Sequence, residues 1–225
     1  MEIREKFIVL IEDLMSLDGY LWPRLVIPEM GFEVNEYSPM LAVSVDGSST
    51  GSAALVHLVT ERKSGDPLKT KEEPNCVSLI KGIGHVASAD GNSVPRLELL
   101  SLILGLKAAE CAQSELPFTV QRTIYMSDST TILQQVNSRH MLYEPWLQPR
   151  LREIKARVRP EDLFKVDSLN NCADIPSKRA KNLRASMESK KYLQGGFMGR
   201  HFTTCLLYTS DAADDSLRVD LGGRR

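Results

Sequence analysis

Residues 93–113, SVPRLELLSLILGLKAAECAQ, and residues 122–140, RTIYMSDSTTILQQVNSRH, decide how this chain folds. The first stretch predicts a long helix. Ser93 offers an N-cap and Pro95 falls in the first turn, where a missing amide hydrogen costs nothing. Leu97, Leu99, Leu100, Leu102, Ile103, Leu104 and Leu106 leave little polar face, so the helix is expected to be buried on more than one side. The second stretch reads as a strand, RTIYMS, that runs directly into a helix. A buried crossover helix followed by a strand implies parallel pairing with an earlier strand.

Working outward, the residues before this unit predict three strands. LAVSV at 41–45 alternates, DGSSTGS at 46–52 is a Gly- and Ser-rich turn, and AALVHLVT at 53–60 is a second strand. A polar connection leads to CVSLIKGIGHVA at 76–87, a third strand with a Gly-rich irregularity. Downstream, EPWLQPRLREIKARV at 144–158 predicts a basic amphipathic helix and DLFKVDSL at 162–169 a fifth strand. NNCADIPSKRAKNLRAS, from 170, opens a last helix. The order is β-β-β-α-β-α-α-β-α. It implies an α/β fold with a mixed five-stranded sheet, antiparallel through strands 1–3 and parallel thereafter, with helices on both faces. Residues 1–40 hold a short helix, Lys6 to Leu14, and a connection punctuated by Pro23, Pro28 and Pro39.

Four carboxylates stand at the edges of these units: Asp46, Glu98, Asp128 and Asp174. Each adjoins an apolar run, where an acid is costly unless paired, hydrogen-bonded or bound to metal. Each alone has an ordinary use. Asp46 before Gly47 can start a turn, Glu98 suits a first helical turn, and Asp128 and Asp174 can cap or open helices. Together they form a compatible set. If the first and fourth strands are parallel neighbours, Asp46 and Asp128 share the carboxyl edge of the sheet, where open α/β sheets place ligands. Glu98 and Asp174 can lean over the same edge. An all-oxygen set of this kind suits magnesium or manganese.

Bulk properties narrow the classes. A chain of 225 residues, 42% hydrophobic and 25% charged, has the composition of a soluble globular protein. Its apolar runs are too short or too interrupted to span a bilayer. The first residues, MEIREKFIVLIEDL, make a poor signal peptide, so a cytoplasmic location is expected and no membrane partner. Cys76, Cys111, Cys172 and Cys205 show no C-x-x-C spacing and complete no zinc pattern, which fits reduced thiols. The net charge of −1 conceals an asymmetry: residues 139–204 carry 14 basic and 7 acidic side chains. That excess is a candidate phosphate-binding face.

The ordered pieces VSVDGS, VPRLELLSLILG, IYMSDSTTILQQVNS, PWLQPRLREIK and DLFKVDSLNNCADIPSKRA resemble a retroelement ribonuclease H domain, in particular that of BEL/Pao-type LTR retrotransposon polyproteins. The likeness covers about residues 25–200. It implies a ribonuclease H-like fold, an Asp-Glu-Asp-Asp catalytic and metal-binding set at Asp46, Glu98, Asp128 and Asp174, and two Mg2+ ions, with Mn2+ as the substitute. It implies cleavage of the RNA strand of an RNA–DNA hybrid, and a reverse transcriptase part of the same polyprotein as partner. The alternative is an inactive module that binds nucleic acid or braces a polymerase. Asp46, on the central strand, is expected to bridge the ions, with Glu98 and Asp128 completing one site and Asp174 the other. Ser48, Ser129 and Asn137 are candidates for 2′-hydroxyl contacts. Arg150, Arg152, Lys155, Arg157 and Arg159, with Lys178 and Arg179, are candidates for holding the hybrid backbone.

The chain departs from the family pattern in places. The first motif is VDGSST where S-D-A-S is commoner, and the last ends D-I-P-S-K rather than D-L-A-S-R-G. No histidine lies between Leu151 and Asp174, which implies slower product release. There is no Y-x-D-D polymerase motif, and D-S-T at 128–130 lacks the glycine of a D-S/T-G protease. The expected organisation is an upstream segment at 1–40 trailing from the reverse transcriptase, the ribonuclease H-like domain at 41–185, and a linker at 186–204. Residues 205–225, CLLYTSDAADDSLRVDLGGRR, look like the translation of a sequencing adapter.

Overall fold

Alternation builds the sheet. In Leu41–Val45 every second side chain is a large aliphatic residue that faces a helix, and the small residues between face the other way. The first strand, β1, runs Tyr37–Gly47, β2 Gly51–Arg62 and β3 Cys76–Val86. Both successive pairings are antiparallel. β4, Arg122–Ser127, lies parallel to β1, and β5, Leu163–Lys165, lies parallel to β4. The sheet order is β3-β2-β1-β4-β5, so β1 is central. This computed structural model describes residues 3–16, 18, 37–62, 76–88, 93–138 and 144–178.

The helices are α1, Ile3–Met15; α2, Val94–Glu115; α3, Thr130–Asn137; α4, Leu147–Lys155; and α5, Asp174–Ser177. α2 crosses from β3 to β4 and lies on β1 and β2. Leu99, Leu102 and Leu106 are fully or almost fully buried there against Leu41, Val43, Val45 and Val56. Each leucine so buried stabilises by roughly 1.5–3 kcal/mol. α3 and α4 close the same face through Ile132, Val136, Leu151 and Ile154. The opposite face gathers Ala42, Val59, Val77, Ile124, Met126, Val166 and Cys172. The expectation of helices on that second face falls outside the described residues.

Several expectations meet corrections of detail. α2 begins after Ser93 and carries Pro95 in its first turn, yet the Ser93 hydroxyl makes no capping bond. Glu98 was expected in that first turn; it lies one place beyond it, past the free amide groups of the helix end. The irregularity in β3 is a bulge: Val56 pairs with Lys81 but His57 with Leu79, so Ile80 is the extra residue. β5 is three residues long rather than eight. Asp162 was expected to start it but turns in a 3-10 helix, where its carboxylate accepts from Arg122 at 2.6 Å and Arg159 at 2.7 Å. The last helix is described only as Asp174–Ser177, and its expected continuation lies outside the described residues.

Two glycines let α2 approach β1. A Cβ on Gly105 would stand 2.7 Å from Val45 Cγ1. A Cβ on Gly47 would stand 2.3 Å from the Glu98 nitrogen and 2.4 Å from the Leu97 carbonyl carbon. The obstacle at Gly47 is backbone, which cannot swing aside as a side chain can. Ser52 Oγ, on β2, donates to the Leu97 carbonyl at 3.0 Å and fixes the same turn of the helix. Gly47→Ala is therefore expected to destabilise the fold by about 2–3 kcal/mol, read as a lower urea midpoint. Gly84→Ala, with nothing within 4 Å of the new carbon, should stay within about 0.5 kcal/mol of the parent.

Candidate active site

The carboxyl ends of β1 and β4 carry the acids. Asp46 is the penultimate residue of β1, and Asp128 follows the last residue of β4. Because the two strands are parallel neighbours, both acids emerge at one rim. Gly47 then brings α2 into backbone contact beside Asp46, which sets Glu98 at the same rim. Asp174 opens α5, a short helix that packs on β1, β2 and β3.

Each carboxylate is held by a neighbour. Asp46 Oδ2 accepts from Ser177 Oγ. Glu98 Oε2 accepts from Ser129 Oγ at 2.7 Å, and the same hydroxyl caps α3 by accepting from the Ile132 amide at 3.4 Å. Asp128 Oδ2 accepts from Ser168 Oγ at 2.7 Å and Oδ1 from Asn171 Nδ2 at 3.2 Å. Asp174 Oδ1 accepts from Lys178 Nζ. Asn171 is fully buried and acts as a staple. Its amide nitrogen also donates to the Val45 carbonyl at 3.0 Å, and its oxygen accepts from the Ala173 amide at 3.2 Å. One side chain thus ties the ends of β1 and β4 to the loop that leads into α5.

The acids feel one another. Burial pushes the Asp46 carboxyl above its ordinary value; the Ser177 bond opposes this, Asp128 and Asp174 push it up further, and Lys178 pulls it down. Burial also raises the Glu98 carboxyl, against the Ser129 bond, and the charges of Asp128 and Asp46 add to the rise. Such a cluster is chemically suited to a hard dication, which would relieve the repulsion with oxygen ligands alone. Among the described residues, no three His, Cys, Asp or Glu side chains are grouped as a preformed metal cage. The carboxylates are instead turned onto hydroxyl, amide and ammonium donors. Among the described residues, no donor reaches Oδ1 of Asp46 or Oε1 of Glu98.

The residues expected at nucleic acid divide into two groups. Ser129 and Lys178 contact the acids directly, and Ser48 Oγ donates to the Ser177 carbonyl at 2.5 Å, bracing α5. Of the others, those on or just after α4 mostly bind the protein itself. Arg150 stacks on Trp146 at 3.9 Å and donates to its carbonyl at 2.6 Å. Lys155 donates to the Ser138 carbonyl at 2.5 Å. Arg157 pairs with Glu110 and Glu153, and Arg159 with Asp162 and Glu161. Arg152 is exposed, with no partner among the described residues. Asn137 Oδ1 is buried with no partner among the described residues, and Arg179 lies outside them. The sequence reading missed Ser168, Asn171 and Ser177. Their polar side chains flank Asp174 in a segment rich in such residues, and only the three-dimensional contact separates them from loop residues.

A mixed sheet ordered 3-2-1-4-5, with acids at the carboxyl ends of β1 and β4, defines a ribonuclease H-like domain. A family model, Pao retrotransposon-like RNaseH-like domain, matches residues 2–129, more than half of the chain, and the chain belongs to that family. By family it is of the ribonuclease H-type hydrolase class. The match includes Asp46, Glu98 and Asp128; Asp174 lies beyond its end. No curated protein matches. Solved structures with a distant likeness include the N-terminal RNase H domain of rv2228c from Mycobacterium tuberculosis, fused to maltose-binding protein. It is 15% identical over 68% of this chain and 99% of that one, with a TM-score of 0.39. LC11-RNase H1 in complex with an RNA/DNA hybrid is 15% identical over 61% and 92%, with a TM-score of 0.34. RNase H1 from Halobacterium salinarum is 18% identical over 60% and 89%, with a TM-score of 0.36. Membership rests on the family match. Among the described residues, no helix is long and apolar enough to cross a membrane.

The raised carboxyls have a consequence for pH. An acid whose folded-state pKa lies above its unfolded value keeps its proton longer in the folded state. Stability then falls as pH rises from the ordinary values, 3.8 for Asp46 and 4.5 for Glu98, through the higher folded ones, and the loss persists at neutral pH. In EDTA at pH 7, Asp46→Asn is expected to raise Tm by about 2–4 °C and to flatten this decline. Thermal melts between pH 4 and 7.5 check it. A lower Tm at pH 7 would contradict the repulsion inferred at the rim.

Proposed function

We propose that this domain cleaves the RNA strand of RNA–DNA hybrids by hydrolysing a phosphodiester with two divalent ions, as part of a retrotransposon polyprotein. What supports the reading is the parallel pairing of β1 with β4, which sets Asp46 and Asp128 at neighbouring strand ends, with the Glu98 backbone against Gly47 beside them. Asp46, Glu98, Asp128 and Asp174 would hold the ions. Magnesium or manganese, when bound, would supply a nucleophilic water at neutral pH and neutralise charge developing on the phosphate and the leaving 3′ oxygen. The chain's own part is to aim the acids. Ser129 orients Glu98, Asn171 and Ser168 orient Asp128, and Ser177 orients Asp46.

The substrate would approach the rim along the basic part of the chain. Arg152 is exposed and able to meet a phosphate without breaking a bond to any described residue, whereas Arg150 and Lys155 would first leave carbonyl partners. Arg179 would add charge beside Lys178. Ser48, Ser129 and Asn137 remain the proposed 2′-hydroxyl contacts, and such contacts would separate RNA from DNA. In this reading the catalytic domain takes in residues 37–40 of β1 together with 41–185, and the residues before them trail from a reverse transcriptase that presents the hybrid.

Cleavage of an end-labelled hybrid in magnesium tests the proposal. The wild-type chain should cut the RNA strand, leave duplex DNA intact and stop on addition of EDTA. Asp128→Asn should lower the rate by at least about 100-fold, because several kcal/mol of transition-state stabilisation depend on the ions this acid helps to hold. Hybrid binding without cleavage, in magnesium and in manganese alike, would favour a binding module instead.

A further inference from the structure

α5 and the residue after it make contact with two acids at once. Ser177 Oγ donates to Asp46. The Ser177 carbonyl accepts from Ser48 Oγ at 2.5 Å and Thr50 Oγ1 at 2.8 Å, so the β1–β2 turn anchors the backbone at this point. Lys178 then leaves the helix in extended conformation, φ −103 and ψ 149, and its ammonium folds back onto Asp174, four residues earlier. Its charge also interacts with Asp46 and Asp128. The Asp174 side chain is 16% exposed and the Lys178 side chain 55%. The acid is therefore enclosed, while the lysine stem remains free to swing outward.

We propose that Lys178 is a tethered counter-cation: it holds the acid cluster together while no metal is bound and competes with an incoming divalent ion for Asp174. The inference rests on the two-ion reading above and adds to it a residue that sets metal affinity. Three observations meet in it. Among the described residues, the carboxylates are turned onto protein donors rather than into a ready cage. The Lys178 ammonium on Asp174 carries a full positive charge and lies on a carboxylate that the two-ion reading assigns to a metal. The anchor is the backbone at Ser177, so release needs only rotation of a flexible side chain and no movement of the fold. A lysine displaced in this way stays at the rim, where its charge would meet a phosphate.

Mn2+ titration of the full chain, followed by the electron paramagnetic resonance of the free ion, tests the idea. Lys178→Gln should bind Mn2+ about two- to fivefold more tightly than wild type, the scale expected for a half-exposed ion pair. Lys178→Arg, which keeps the charge, should stay near wild type. A melt in EDTA supplies the second readout. Lys178→Gln should have a lower Tm than wild type and gain more from added Mn2+. A merely structural lysine would lower both Tm and affinity. Equal or weaker Mn2+ binding by Lys178→Gln would overturn the inference while leaving the two-ion reading in place. Absence of Mn2+ binding in all three chains would overturn that reading and the inference with it.

Discussion

The backbone contact between Gly47 and the Leu97–Glu98 turn of α2 is the constraint on which the rest of the site depends. It sets how deeply the crossover helix sinks onto the central strand. The depth fixes the core, because Leu99, Leu102 and Leu106 then reach the aliphatic face of β1 and β2. It also fixes the chemistry, because the contact includes the Glu98 backbone and the residue before Gly47 is Asp46. Packing and site therefore share one determinant. A side chain at 47 would lift the helix away from the leucine layer and the acid pair together.

A second constraint is electrostatic. Acids at one partly buried rim repel one another, and the fold meets this with donors drawn from far along the chain. Ser177 reaches Asp46 across 131 residues, and Asn171 reaches the β1 carbonyl across 126. The segment 168–178 is thus a strap over the ends of the parallel strands. Its regular structure is slight, two short helical turns, and polar bonds reinforce the burial of Cys172 and Ala173 in holding it.

Much of the architecture was legible in the sequence because its signals were local. Alternation marked β1, an apolar run marked β2 and the dense leucine run marked α2; the cap before α3 was read at Asp128 and falls one residue later, on Ser129. The crossover helix then implied parallel pairing of β1 with β4, and with it the placement of Asp46 and Asp128 at neighbouring strand ends. What escaped the sequence was non-local. Gly47 reads as a turn residue, yet the decisive fact is a helix backbone from residues 97–98 lying against it. The fifth strand reads as eight residues, yet two arginines draw Asp162 out of it. The basic helix reads as a free cationic face, yet Arg150, Lys155, Arg157 and Arg159 are engaged by carbonyls, an indole and acids of the protein itself. Periodicity says which way a side chain points; it does not say what already occupies it.

The most direct test of the shared rim is crystallographic. Crystals of the chain soaked in Mn2+ and measured at the manganese absorption edge would locate the ions by anomalous scattering. Anomalous density in contact with Asp46, and shared with Glu98, Asp128 or Asp174, is the expected result. Manganese bound elsewhere on the molecule, with this rim empty at saturating Mn2+, would contradict it.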